Sequence, residues 1–373
     1  MSSVTIPETM KALVQHATEH KAEVREVSVP KLNKNEILIK VAYVAQNPID
    51  WKMSSLGMSP PHSILGFDFA GIVVALGEEL ANPNVKIGDR VAGMVHGGGF
   101  PDKGSFAEYV RATSDLVWSV PSHLSLREAA GISATLATAA QGLFTKLDLP
   151  YPVFGTNPTP IDNDPTNWIV IYGGSSSVGL FAIQLAKFAG YNVITTCSPK
   201  NFDLVKQYGA DVVVDYHNPE AAIQEIRSAT SAQLTRAFDC ISAGNSAIVC
   251  LQALEDADEA NDKCKLVQVA PPSPEAEKLA SERGIEMSRL MALTLFGNAL
   301  TLGPGFTVPA NPDDRAFYVK LNKDTPTLIA KYGLKPNPVT DMPNGLNGIQ
   351  EGAALMQAGK VSATKLVYKV SDA

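Results

Sequence analysis

One stretch limits the possible folds more than any other. Trp168-Ile169-Val170-Ile171-Tyr172 is a continuous apolar run, followed by Gly173-Gly174-Ser175-Ser176-Ser177-Val178-Gly179. Val178, Ala182, Leu185, Ala186 and Ala189 then recur at helical spacing until Gly190. A short run of branched residues with no polar alternation reads as a strand buried on both faces, which is the habit of parallel sheets. A second such run, Asn192–Thr196, follows the helix, and a third, Asp211–Asp215, follows the helical stretch Phe202–Tyr208. Strand, helix and strand in alternation predict a doubly wound parallel sheet of the Rossmann type. Arg236–Asp239 and Lys265–Val269 are the expected later strands, and Ala363–Val370 reads as a strand at the C-terminus.

The glycine turn suggests a use for this sheet. Glycines at such a turn let the backbone approach a pyrophosphate, and the next helix aims its positive end at the anion. Set against G-x-G-x-x-G, Gly174 and Gly179 hold the outer positions, and Ser176 stands where the middle glycine is expected. That departure leaves an ordinary strand–helix turn as the competing reading. The context favours a dinucleotide, with Gly174, Ser175, Ser176, Ser177 and Val178 around its phosphates. An NAD site places an acid at the end of the second strand for the ribose 2′-hydroxyl. Here the segment is Thr196-Cys197-Ser198-Pro199-Lys200-Asn201, with no acid before Asp203. Ser198 and Asn201 can hydrogen-bond a 2′-phosphate and Lys200 can neutralise it, so NADPH is the expected cofactor. The alternative for Lys200 is a solvated lysine at a helix start.

The rest of the chain reads differently. Ala12–Val14, Glu36–Val41, Gly71–Leu76 and Asp89–Val95 are short branched runs bounded by turn residues, the pattern of a barrel-like or sandwich-like β unit. Leu126–Thr145 reads as two helices broken around Gly131 and Ser133. Pro150–Pro165 holds five prolines and reads as an irregular surface insertion. At 373 residues, two or three domains are expected.

Composition closes off several functions. With 31 Lys+Arg against 38 Asp+Glu the net charge is −7, which disfavours broad nucleic-acid or anionic-membrane binding. No apolar run reaches the ~20 residues of a membrane span. Met1–Met10 does not read as a secretory signal. The four cysteines Cys197, Cys240, Cys250 and Cys264 form no C-x-x-C pair, so a reduced, cytoplasmic protein is the expectation. The six histidines show no ligand spacing, and His16 and His20 read as solvated.

Several motifs together resemble the medium-chain dehydrogenase/reductase superfamily, in its zinc-independent, quinone-reductase-like branch. They are Asn47-Pro48-Ile49-Asp50, Gly66–Gly71, Gly88-Asp89-Arg90-Val91, Gly104–Tyr109, the glycine turn and Gly359–Val367. Cys197–Leu204, the proline-rich insertion and Gly131-Ile132-Ser133 further resemble the fungal trans-acting enoyl reductases that partner polyketide synthases, and the ToxD-like reductases. The resemblance implies an α/β chain: a GroES-like β domain from residues 1–135 and 310–373, with a Rossmann doubly wound parallel sheet inserted at 136–309. It places the active site between them. Zinc-dependent relatives carry His-Glu where this chain has Phe67-Asp68, and a thiol where it has Ala45-Gln46, so no metal is expected.

The implied reaction is hydride delivery to the β-carbon of an α,β-unsaturated polyketide-type thioester. Negative charge then develops on the carbonyl oxygen, where a fixed donor stabilises it. The resemblance puts Lys52 in the loop facing the nicotinamide and Thr138 beneath it, as catalytic candidates. A solvated Lys52 paired with Asp50, and a Thr138 bonded to its own helix, are the plainer readings. Asn47 and Asp50 are expected to shape the loop and hold the ribose. Tyr216 is expected near the adenine, Gln268 near the nicotinamide amide, and Lys365 near the cofactor phosphate or on the surface. Trp51, Met53 and Phe306 are expected to wall the substrate, with core packing the alternative for the first two and a bare turn for the last. The substrate is a small or carrier-bound acyl group, carried by a polyketide synthase partner. A stand-alone quinone or alkenal reductase is the rival function, and a monomer is favoured over a dimer.

Overall fold

The computed structural model describes residues 5–152, 167–255, 264–301 and 307–372. Most of the proline-rich insertion and all of Gly303–Phe306 lie outside the described residues. Contacts divide the chain into two compact units, Met1–Ala134 with Leu293–Ala373, and Thr135–Ala292.

The second unit is the doubly wound sheet. Its six strands lie in the order Val212–Val214, Asn192–Thr196, Trp168–Tyr172, Arg236–Asp239, Lys265–Gln268, Glu286–Arg289. In chain order this is 3-2-1-4-5-6, and every pairing is parallel. That is the dinucleotide-binding order, whose crevice opens where the winding reverses, between the first and fourth strands. The apolar run that signalled the first strand is buried from Ile169 to Tyr172, because helices cover both faces. The helix Ser177–Phe188 packs on this sheet with Gly179 through Ala186 all buried.

The first unit is mostly antiparallel β. A seven-stranded sheet carries the path Val339–Met342, Lys365–Lys369, Glu36–Ala45, Asp68–Leu76, Arg90–Met94, Val117–Ser119, with Tyr109–Thr113 also paired to Glu36–Ala45. The expected early strands are present, three of them longer than their branched runs and the fourth, Arg90–Met94, shorter than the run Asp89–Val95. The helix Pro312–Tyr332 gave no clear amphipathic stripe and emerges only here. Its end has a physical cause: Gly333 takes a left-handed φ of 71°, which a Cβ would strain.

Leu126–Thr145 breaks where the glycine suggested. Leu126–Ala129 is one helix, Ser133–Ala140 a second, and Gln141–Lys146 continues it as a π-helix. Ser125 starts the first with a capping box, its Oγ accepting from the Glu128 N–H.

Candidate active site

In the Thr135–Ala292 unit, the turn after the first strand is built for backbone approach. Gly173 has φ of 82°, and a Cβ at Gly174 would fall on Thr195 Oγ1. A Cβ at Gly179 would fall on the carbonyl oxygen of Gly173 and Cα of Gly174, so helix and turn touch through bare backbone. Ser176 is not a failed glycine. It is the N-cap of Ser177–Phe188, and its Oγ accepts from the Gly179 N–H at 3.0 Å. Ser175 and Ser177 flank it, partly exposed, and Val178 opens the helix.

The loop after the second strand closes on this turn. Asn201 Nδ2 donates to Ser175 Oγ at 3.3 Å, and Ser198 Oγ lies 3.2 Å from the Tyr216 hydroxyl. Tyr216 is 37% exposed and stacks on His217 with ring centroids 4.5 Å apart. Lys200 is exposed and makes no ion pair among the described residues. The tight glycine turn, the capped helix start and a fringe of hydroxyls with one uncommitted lysine suit the phosphates of a dinucleotide. Ser175, Ser176, Ser177 and Val178 would hold the pyrophosphate, and Ser198, Lys200 and Asn201 the outer ribose.

Gln268 is placed differently from a residue presenting its backbone to a ligand. Its carbonyl accepts from the Leu290 N–H at 2.7 Å, and its buried side chain donates to Asp239 Oδ2 at 3.2 Å. Its Oε1 has no partner within the described residues. Thr138 sits in Ser133–Ala140 and is partly buried.

In the first unit, the helix Pro48–Ser55 carries Trp51, Lys52 and Met53. Asn47 is its N-cap and Asp50 closes the capping box, with Oδ2 accepting from the Asn47 N–H at 2.6 Å. Asp50 Oδ1 accepts from the Phe67 N–H at 3.0 Å. Asp50 is therefore not Lys52's partner. Lys52 is half-buried, with its ammonium 5.7 Å from the Trp51 ring centre, and makes no ion pair among the described residues. Burial pushes the Asp50 carboxyl up to about 7, a rise to which the Asp68 charge adds. Its N–H donor from Asn47, and Lys365, oppose that rise.

Met53 is 1% exposed and packs in the core. Asp50 and Trp51 also line a cavity of about 100 Å³ above Leu13, Leu65 and Phe106. The Trp51 indole N–H and Ser55 hydroxyl are shielded from solvent and lack partners among the described residues. Phe306 lies outside the described residues.

Lys365 is not a surface residue. It is 2% exposed, bonded to Asn47 Oδ1 and 3.4 Å from Asp68 Oδ2. Asp68 is fully buried, and its carboxyl is pushed up by burial, against which Lys365 and Asn47 act. Asp68, Gln46 and Tyr368 were not picked out as site residues. The Tyr368 hydroxyl donates to Gln46 Oε1 at 2.5 Å, and Gln46 Nε2 donates to the Ile349 carbonyl at 3.1 Å. The signal for Asp68 is its charge at the head of an otherwise apolar strand, since a carboxylate buried there needs a partner. Among the described residues, no group of three His, Cys, Asp or Glu is arranged to hold a metal. Nor is any described helix long and apolar enough to cross a membrane.

A GroES-like β unit joined to a 3-2-1-4-5-6 Rossmann sheet defines a medium-chain dehydrogenase/reductase. Residues 33–122 match the alcohol dehydrogenase GroES-like domain family, and residues 177–260 match the zinc-binding dehydrogenase family. The chain is 38% identical to trans-enoyl reductase caaB of Aspergillus niger over 98% of both chains. It is 36% identical to enoyl reductase cheB of Chaetomium globosum, over 100% of this chain and 97% of that one. Mycobacterial Rv1454c complexed with NADPH has the same fold, with a TM-score of 0.73 at 20% identity over 97% of this chain and 100% of that one. The chain belongs to the trans-enoyl reductase family of fungi.

Proposed function

We propose that this protein is an NADPH-dependent, trans-acting enoyl reductase that serves a polyketide synthase. It reduces the C=C bond of an α,β-unsaturated acyl thioester held on the synthase's carrier. The observation that carries the reading is likeness to trans-enoyl reductases along the whole chain, at 38% identity for the Aspergillus niger protein. The site chemistry agrees with it.

When bound, the nicotinamide supplies the hydride. The protein's part is to bind, orient and stabilise. The glycine turn and the Ser176 cap hold the phosphates. Lys200, Ser198 and Asn201 favour a 2′-phosphate, because the segment Thr196–Asn201 carries no acid of its own to repel it. Lys52, a cation with no ion pair among the described residues, supplies positive charge for the enolate oxygen. The Thr138 hydroxyl supplies a second polar group. A proton reaches the α-carbon afterwards.

The test is NADPH oxidation by the purified protein with EDTA present. An enoyl pantetheine thioester, an alkenal and a quinone are offered in parallel, with NADH as control. Thioester turnover with NADPH is expected. Turnover of the quinone or alkenal alone would replace this reading with a free-standing reductase. Lys52→Met is expected to lower kcat about a hundredfold to a thousandfold, the usual range for losing one charge-stabilising donor.

A further inference from the structure

Lys365, Asp68 and Asn47 lie far apart in the chain, yet all three are buried, at 2%, 0% and 5% exposure. Asn47 Nδ2 donates to Asp68 Oδ2 at 2.9 Å, and the Lys365 ammonium bonds Asn47 Oδ1 and approaches the same Asp68 oxygen at 3.4 Å. The other Asp68 oxygen accepts from the Ala134 N–H at 2.7 Å. Each of these bonds ends at the start of a helix. Asn47 is the N-cap of Pro48–Ser55, which carries Lys52. Ala134 is in the first turn of Ser133–Ala140, which carries Thr138. A carboxylate at a helix start satisfies an orphan N–H and meets the positive end of the dipole.

We infer that Lys365, Asp68 and Asn47 are one buried clamp that sets the starts of both helices bearing the reacting side chains. In this clamp Lys365 acts as a positioning residue through Asp68 and Asn47, not by touching the cofactor phosphate. The inference rests on the proposed reaction for the roles of Lys52 and Thr138, but the clamp itself does not depend on it.

The chemistry explains why a lysine is needed. Asp50, Asp68 and Lys365 share this interior, two carboxyls against one ammonium. Without Lys365, Asp68 would face a second carboxyl with only neutral donors, and it would either take up a proton or move outward. Either change loosens its hold on Asn47 and on Ala134. Gly131 lies against the Lys365 stem, where a Cβ would stand only 3.3 Å from its Cγ.

The test uses the full chain with Lys365→Met, Asp68→Asn and the double variant. Three quantities are read: the denaturation midpoint in urea, the NADPH dissociation constant by fluorescence, and kcat and KM for an enoyl pantetheine thioester. The clamp predicts that Lys365→Met lowers the midpoint and cuts kcat at least tenfold, with NADPH affinity within about twofold of the parent. Asp68→Asn added to it restores most of the midpoint, because the Asp68 charge that Lys365 balanced is then gone as well. The double variant loses no more kcat than the worse single variant. A weakening of NADPH binding above tenfold in Lys365→Met, with Asp68→Asn leaving binding and midpoint unchanged, would place Lys365 on the phosphate and overturn the clamp. Additive midpoint losses in the double variant would also overturn it. If the parent reduces no enoyl thioester, the proposed function fails, whereas the midpoint cycle and the NADPH constant still decide the clamp. If Lys365→Met does not fold, the double variant must fold for the clamp to stand.

Discussion

The glycine turn and the buried clamp are both polar sites, but they are built in opposite ways. The turn is capped locally: Ser176 caps Gly179 three residues on, and Asn201 reaches back 26 residues to Ser175. Ser175, Ser176, Ser177 and Val178 are part-exposed there. The clamp closes across nearly the whole chain, with Asn47 bonded to Lys365 over 318 residues. Its charges are sealed from water and must satisfy one another. A local, solvated site tolerates the loss of one group, whereas a sealed site does not. The difference predicts that damage to the clamp appears first as lost stability, and damage to the turn as lost binding.

The largest expected effect is at the clamp. Asp68→Ala leaves the Lys365 ammonium buried without a carboxylate, and should cost about 3–5 kcal/mol in urea denaturation. A loss under ~1 kcal/mol would mean that the charges are solvated, and the contrast with the turn would collapse.

The next effect concerns another sealed polar group of the first unit. His96 is 5% exposed, between Phe67, Phe100 and Phe296, and neither ring nitrogen has a partner among the described residues. Burial lowers its pKa to about 4. The folded protein therefore resists protonating His96, while the unfolded chain protonates near its ordinary 6.5. Stability from this group is present above pH 6.5 and lost as pH falls toward 4, by roughly 3 kcal/mol. A urea series from pH 7 to pH 4 should show that loss in the parent and a much smaller one in His96→Phe. Equal slopes would show the ring to be in contact with water.

At the turn, Gly179→Ala should weaken NADPH binding by roughly a hundredfold, close to 3 kcal/mol, because its Cβ meets backbone that cannot move aside. Fluorescence titration measures this, and the urea midpoint should fall less than it does in Asp68→Ala. The smallest effect is Ser176→Ala, which loses a helix cap worth about 1 kcal/mol, whereas Ser176→Gly should cost only a few tenths. An equal, large loss from both would show that the hydroxyl serves more than the cap.

Much of the second unit was legible because its signals are contiguous. The apolar run 168–172, the glycines at 173, 174 and 179, and the run 192–196 each encode strand, turn and strand within about thirty residues, and the observed elements match. The two helices after Leu126 were legible from the break at Gly131, but their continuation as a π-helix was not, since no composition rule marks it. Edge strands such as Val339–Met342 and Glu286–Arg289 escaped notice because they are short and half-exposed, with little apolar patterning.

The sequence by itself determined the class of the sheet, the glycine turn, the missing acid after the second strand and the family resemblance, for each depends on residues near one another. Tertiary structure alone decided that Asp50 bonds backbone rather than Lys52, and that Lys365 lies inside on Asp68 and Asn47. The physical reason is burial. A lysine reads the same in sequence whether water or a carboxylate surrounds it, and only the packed strands and helix starts fix which.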